Sequence, residues 1–151
     1  MSSDAKEIVL QYLERAFVRH DVDQLQELVS MEALIQAARG FVSAFPDVDM
    51  MFEHTITEGD WVAVGVTATG THRGEFQGHP PTGNRWEARA TAWYEVTNGK
   101  ISNAWIVWDW LPIMRAVGAV ASGQPSPSMH PEDRVAVGAG HHDRSRTGST
   151  G

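Results

Sequence analysis

The segment Trp105-Ile106-Val107-Trp108-Asp109-Trp110 sets three indoles around one carboxylate. Flat aromatic side chains at a strand end can wall a pocket for an aromatic or polycyclic ligand. A carboxylate held in such a wall sits in low dielectric, where its pKa rises toward a range useful for proton transfer. Asp109 is therefore the leading candidate for a catalytic acid/base. Asp is also a favoured helix N-cap residue, and an apolar helical run starts at Leu111, so capping is the competing role. Strict strand alternation from inward positions 104 and 106 points Asp109 outward unless a bulge near the strand end returns it to the cavity.

Two further residues are catalytic candidates. Tyr94 shares a face with Trp86, Ala88, Ala90 and Ala92, where the alanines leave space and the phenol could donate to a developing oxyanion. The competing role is a packed core tyrosine. His54 shares an apolar face with Met50 and Phe52 and could act as a base near neutrality, or as a hydrogen-bonded wall residue. His72 lies in a Gly-Thr-His turn and is read as fixing the following loop, while His79 approaches the cavity mouth from that loop. Tyr12 and Phe17 on the first helix are expected to close the cavity. Phe52, Trp86, Trp105 and Trp108 are expected to wall it. Trp93, beside Glu95 on the outward face, is unusual for solvent and predicts a homodimer or higher oligomer through the outer sheet face. His141-His142 in the tail has no carboxylate partner and makes a weak metal site, so no metal site is expected there.

Composition narrows the function classes. The chain has 151 residues, enough for one domain, and no cysteine, which removes disulfides, thiolate metal sites and cysteine nucleophiles. The net charge of −7 lies before residue 119, because three acids and three arginines cancel in the tail. An acidic chain without a Lys/Arg stripe argues against nucleic acid or an anionic membrane as partner, and says little about a neutral or phenolic small molecule. The polar start resembles no secretory signal, and no apolar run reaches the ~20 residues that span a bilayer, so the expected location is cytoplasmic.

These side chains need elements to hold them. Asp4 with Glu7 makes a capping-box-like start for a first helix bearing Val9, Leu13, Ala16 and Phe17. A second short helix is predicted from Asp21 with Leu25, Leu28 and Val29 on its face. A third, capped by Ser30, carries Leu34, Ile35, Ala38, Phe41 and Phe45 until Pro46 stops it. From Asp47 the pattern alternates, with Val48, Met50, Phe52, His54 and Ile56 on one face. Glu58-Gly59-Asp60 turns the chain into a second strand, Trp61 to Thr71. After a Gly/Pro loop, Arg85 to Val96 and Lys100 to about Trp108 form a hairpin across Asn98-Gly99. A short helix follows, Leu111 to Val117, and Gly118 ends it. The fold class is α+β: N-terminal helices packed on a strongly curved antiparallel sheet that forms a cone, residues 1–119. Residues 120–151 are read as a disordered Pro/Ser/Gly/His-rich tail. Such a cone is a natural small-molecule site.

Several separate motifs then point to a family. Phe45-Pro46-Asp47, Glu58-Gly59-Asp60, Gly70-Thr71-His72-x-Gly74, Gly78-x-Pro80-Pro81-Thr82-Gly83 and the Asn98-Gly99-Lys100-Ile101 hairpin occur in order over about residues 5 to 118. In this the chain resembles the SnoaL-like polyketide cyclases of the nuclear transport factor 2-like fold. The resemblance implies cofactor-independent acid/base-assisted ring closure or rearrangement of a polyketide-like or other polycyclic molecule in secondary metabolism. The alternatives are a non-catalytic binding or accessory protein, or a hydroxylase or epoxide-opening relative. The proton-transfer positions that the resemblance assigns fall at Ala104 and Ile106, and near Ala90 and Ala92, none of which can move a proton. A Trp-x-x-x-Asp arrangement like Trp105 to Asp109 also occurs in relatives described as ester cyclases. The extended segment that such relatives place before the last N-terminal helix is reduced here to Val29-Ser30-Met31. This predicts one cavity wall that is missing, wider, or supplied by a partner subunit.

Overall fold

A computed structural model of the protein describes residues 2–121; the tail from 122 on, with His141-His142, lies outside the described residues. Helix α1 (Ser2–Leu13) buries Ala5, Val9, Tyr12 and Leu13. It begins ahead of the start expected at Asp4 and runs into a π-helical turn, Glu14–Val18, where the Arg19 N–H reaches back to the Glu14 carbonyl at 2.9 Å. That turn has a consequence for the cavity. Side chains five apart diverge around an α-helix of about 3.6 residues per turn. The wider π turn realigns Tyr12 and Phe17, which meet edge to face at 5.9 Å. His20, at φ +58, ends the segment and donates from Nε2 to the Val48 carbonyl at 2.6 Å.

The expected second helix is a single 3-10 turn, Leu25–Glu27. Pairing with the sheet overrides helix propensity there: Val29 bridges Ile101 in parallel, and the Leu28 and Ile101 carbonyls accept from Ile101 N–H and Ser30 N–H. Ser30 therefore does not cap the next helix. Its hydroxyl is spent on the Ile101 carbonyl at 3.1 Å, and Met31 holds the N-cap position of α2 (Glu32–Ala44) without a side-chain hydrogen bond. The helix ends at Phe45, ahead of Pro46 as expected.

The sheet is an open antiparallel meander, β1 (Asp49–Glu58), β2 (Trp61–Thr71), β3 (Arg85–Thr97) and β4 (Lys100–Trp108), in that spatial order. A bulge at Glu53 breaks the simple alternation of β1, since Phe52 pairs Val66 while His54 pairs Gly65. One extra residue exchanges the faces of everything beyond it. His54 and Ile56, expected on the inner face, consequently lie on the outer face. β3 and β4 keep the expected parity: Ala90, Ala92 and Tyr94 pair Trp108, Ile106 and Ala104 on the concave side, and Trp93 pairs Trp105 on the convex side. Helix α3 (Trp110–Val117) closes the chain and ends at Gly118, φ +86.

The family-like motifs turn out to be joinery. Asp47 accepts from the Thr71 N–H at 2.7 Å and the Thr71 hydroxyl at 2.6 Å, tying the entry of β1 to the end of β2. Gly70 lies under the Trp86 indole, which would stand 2.8 Å from an added Cβ. At Gly74 an added Cβ would collide with the Ser43 carbonyl oxygen. His72 is fully buried; its Nδ1 accepts from the Thr82 N–H at 3.2 Å, and Thr82 Oγ1 donates to the Ala116 carbonyl at 2.6 Å. This is the loop-fixing role expected of His72. The loop 74–83 is thereby anchored at the last turns of two helices, α2 at one end and α3 at the other.

Candidate functional site

Between the helices and the concave face of the sheet lies a cavity of about 550 Å³. Its size matches a drug-sized ligand. The space exists because three inward positions, Ala90, Ala92 and Ala104, carry only methyl groups where a sheet core would ordinarily fill with Val, Ile or Leu. Tyr12 and Tyr94 close the deep end, 1% and 2% exposed, with ring centroids 5.8 Å apart at an edge-on angle. Burial pushes both phenols well above their ordinary pKa, and Tyr94 is pushed further by Tyr12 beside it. Both are protonated at neutral pH and neither has a hydrogen-bond partner among the described residues. They are donors waiting for an acceptor.

One wall is aromatic. Trp108, inward on β4, stacks on Phe41 of α2 at 5.3 Å with 21° between planes, and Trp110 follows at 6.0 Å. Across the mouth sits a tight hairpin, Phe76-Gln77-Gly78-His79, with paired N–H to C=O bonds of 3.0 and 2.8 Å between Phe76 and His79. Gln77 (φ +49) and Gly78 (φ +85) both adopt the left-handed backbone region that a two-residue hairpin turn requires. It delivers the Phe76 ring, buried, against Phe45, Phe41 and Trp110. Glu75 and Gln77, on either side of Phe76, line the mouth.

The expected site residues divide clearly. Tyr12, Phe17, Tyr94 and Trp108 line the cavity together. Trp105 reaches its rim, but it projects from the convex face, 53% exposed, and packs on Trp61 and Trp93. Trp86 does not line the cavity: it is buried behind the wall against Phe41, Phe45 and Trp108, with an indole N–H that has no partner among the described residues. Phe52 faces inward, yet it stops short of the cavity. His79 closes the mouth hairpin with its backbone and leaves the lining to Phe76. His54 is exposed on the opposite face of the sheet, where the Glu53 bulge puts it.

Asp109 is not the dry acid expected. Its side chain is exposed and does not line the cavity, while its N–H donates to the Arg89 carbonyl at 2.9 Å. It occupies the N-cap position of α3 without a side-chain cap bond, so the competing capping role is also unfilled. Parity explains the direction: no bulge intervenes between Ala104 and Trp108, and the alternation that turns Trp108 inward turns the next residue out.

Phe41, Phe76, Glu75 and Gln77 join the site unexpectedly, whereas Trp110 belongs to the indole cluster expected to wall it. A signal existed for Phe76, the one large apolar residue in GEFQGHPPTG, since a lone Phe in a polar loop needs somewhere to bury. Nothing comparable marks Glu75 or Gln77.

The family model of the SnoaL-like polyketide cyclases matches residues 2–117. The chain belongs to the SnoaL-like polyketide cyclase family. No curated protein matches it in sequence. Among solved structures it is similar to AclR, a proposed hydroxylase of Streptomyces galilaeus, with TM-score 0.71 and 24% identity over 95% of this chain and 98% of that one. It is also similar to a proposed SnoaL-like polyketide cyclase from Jannaschia sp. CCS1, with TM-score 0.70 and 22% identity over 83% and 96%. IdmH of Streptomyces antibioticus, a proposed polyketide cyclase, superposes with TM-score 0.60 and 25% identity over 78% and 99%. The SnoaL-like cone therefore spans the described chain. Within it, the four positions to which the resemblance assigns proton-transfer groups, Ala90, Ala92, Ala104 and Ile106, all line the cavity as aliphatic side chains. Among the described residues no group of three His, Asp or Glu could hold a metal, and no helix is long and apolar enough to cross a membrane.

Proposed function

We propose that this cavity binds a planar, carbonyl-bearing polycyclic molecule and promotes its ring closure or a related rearrangement without a cofactor. The observation that carries the reading is the Tyr12–Tyr94 pair: two protonated phenols at the closed end of the cavity, away from the polar Glu75 and Gln77 of the mouth. A substrate carbonyl inserted there would accept from one or both hydroxyls, and the interaction strengthens as its oxygen gains negative charge in an enolate or alkoxide. Phe41 and Trp108 would hold the ring system in plane, and the alanine floor would set its depth. The balance of such a closure is simple. A carbon beside one carbonyl loses a proton, the new C–C bond forms at a second carbonyl, and that oxygen takes a proton. With aliphatic residues at the family's proton-transfer positions, the reading favours substrates whose hydrogen is already acidic, as between two carbonyls. Shape and one hydrogen-bond donor then supply most of the effect. Asp109, next in the chain to Trp108 and Trp110 but exposed and outside the cavity lining, is the proposed acceptor of that proton on the solvent side.

The loss of those same polar positions favours a second reading, a binding or accessory protein on the family scaffold. Tyr94→Phe and Asp109→Asn separate the two when turnover of linear or partly cyclised polyketides is followed by mass spectrometry alongside binding. For an enzyme, Tyr94→Phe should cut turnover about 100-fold with affinity nearly kept. A protein that binds the same molecules and turns none over, in wild type or variant, is a binder.

The convex face supports a homodimer in the same proposal. Ile56, Ala63, Trp93 and Trp105 lie in one lane across all four strands, and Ile56, Trp93 and Trp105 are 67%, 37% and 53% exposed. Bulky apolar side chains concentrated on one face are what a second copy would cover.

A further inference from the structure

We propose that the preferred ligand carries a positively charged nitrogen at its mouth end, so that the cavity ranks planar molecules as cation above neutral above anion. The inference rests on the ligand-binding reading above and adds a charge class to it. Among the lining residues Glu75 bears the one formal charge, and no Lys, Arg or His joins it. An anionic substituent entering this space would be desolvated with no counter-ion, which is costly. A cation meets the opposite situation. Glu75 is adjacent in the chain to Phe76, whose ring lies 6.3 Å from Trp110, itself 6.0 Å from Trp108. A carboxylate beside aromatic faces is the pair of groups that stabilises organic cations.

The neighbouring charges leave this mouth acidic. Asp109 sits between the two indoles in sequence, exposed and without a side-chain cap bond. Arg89, whose carbonyl accepts the Asp109 N–H, turns its guanidinium to Glu53 at 2.8 Å on the convex face. Arg73, the basic residue nearest Glu75 in sequence, acts on the Asp47 carboxyl. Glu75 has no ion pair among the described residues. Its backbone is also held in place: Arg73 and Gly74 N–H groups donate to the Ala44 carbonyl at 3.1 and 3.0 Å, and the hairpin bonds of Phe76 and His79 follow at once. The net charge of −7 favours approach of cations from a distance.

Three probes of nearly one shape test the ranking: 9-aminomethylanthracene, 9-hydroxymethylanthracene and anthracene-9-carboxylate, titrated against tryptophan emission at neutral pH. The wild type should bind the amine roughly fivefold tighter than the alcohol and the carboxylate weakest. Glu75→Gln should bring amine and alcohol within about twofold of each other, and raised salt should shrink the wild-type preference in the same direction. Equal binding of amine and alcohol to the wild type, or a preference that survives Glu75→Gln, overturns the charge ranking alone. If none of the three binds, the ligand-binding reading falls with it.

Discussion

The two faces of β3 use their side chains in opposite ways. On the concave side Ala88, Ala90 and Ala92 are small and buried, while on the convex side Arg89, Thr91 and Trp93 are larger and face outward. An ordinary sheet does the reverse, placing bulk where it can be packed and short polar groups where water is. Small residues inside mean space that the fold keeps open, and an indole outside is surface that the proposed second copy would cover.

The largest effects belong to the concave face. Ala92→Phe should fill the floor of the cavity and weaken binding of any planar probe about 100-fold or more, at a packing cost of about 1–3 kcal/mol. Thr91→Phe, one residue along on the convex face, should leave probe affinity unchanged. Fluorescence titration read with a denaturant melt separates the two effects.

Breaking the outer face should cost association instead. Ile56→Asp with Trp93→Asp puts charge into the exposed apolar lane of the convex face and should leave a monomer in sedimentation under conditions where the proposed dimer forms, with probe affinity kept. A monomeric wild type would remove the dimer.

A smaller effect follows from the joint between β1 and β2. Burial raises the Asp47 pKa, but hydrogen bonds from the Thr71 hydroxyl and N–H, with the charge of Arg73, outweigh it and hold the carboxyl below its ordinary value. A folded pKa below the unfolded one means stability that is present above the unfolded value and lost as pH falls through the folded one. Asp47→Asn should therefore flatten the acid limb of a stability-against-pH curve and leave stability differences with the wild type largest near neutrality. The smallest expected effect is His54→Ala, which should change probe affinity less than about twofold, since His54 lies across the sheet from the cavity.

Much of this was legible in the sequence, for reasons that differ by element. Pro46 and Gly118 end their helices by backbone chemistry, and Asn98-Gly99, at φ +52 and +78, makes the turn its residue types favour. The inward run of alanines announced space, and Tyr12, Phe17, Tyr94 and Trp108 meet there. The bulge at Glu53 was not legible, because the alternation runs in one phase from Val48 through Ile56 with no shift at Glu53 to mark the inserted residue. That single residue moved His54 out of the site. Asp109 points away from the cavity for the opposite reason: parity was readable, and no bulge near the end of β4 turns it back. Glu75 and Gln77 were hidden because a loop's destination depends on its anchors, here Gly74 on α2 and Thr82 on α3.

The central claim, that the phenols at the closed end polarise a ligand carbonyl, is tested most directly by the infrared C=O stretch of bound anthraquinone. The account predicts a band shifted to lower frequency than in apolar solvent, returning toward the solvent value in Tyr94→Phe and further in the Tyr12→Phe/Tyr94→Phe double variant. A band in the wild type at the apolar-solvent frequency, with anthraquinone bound, would contradict it.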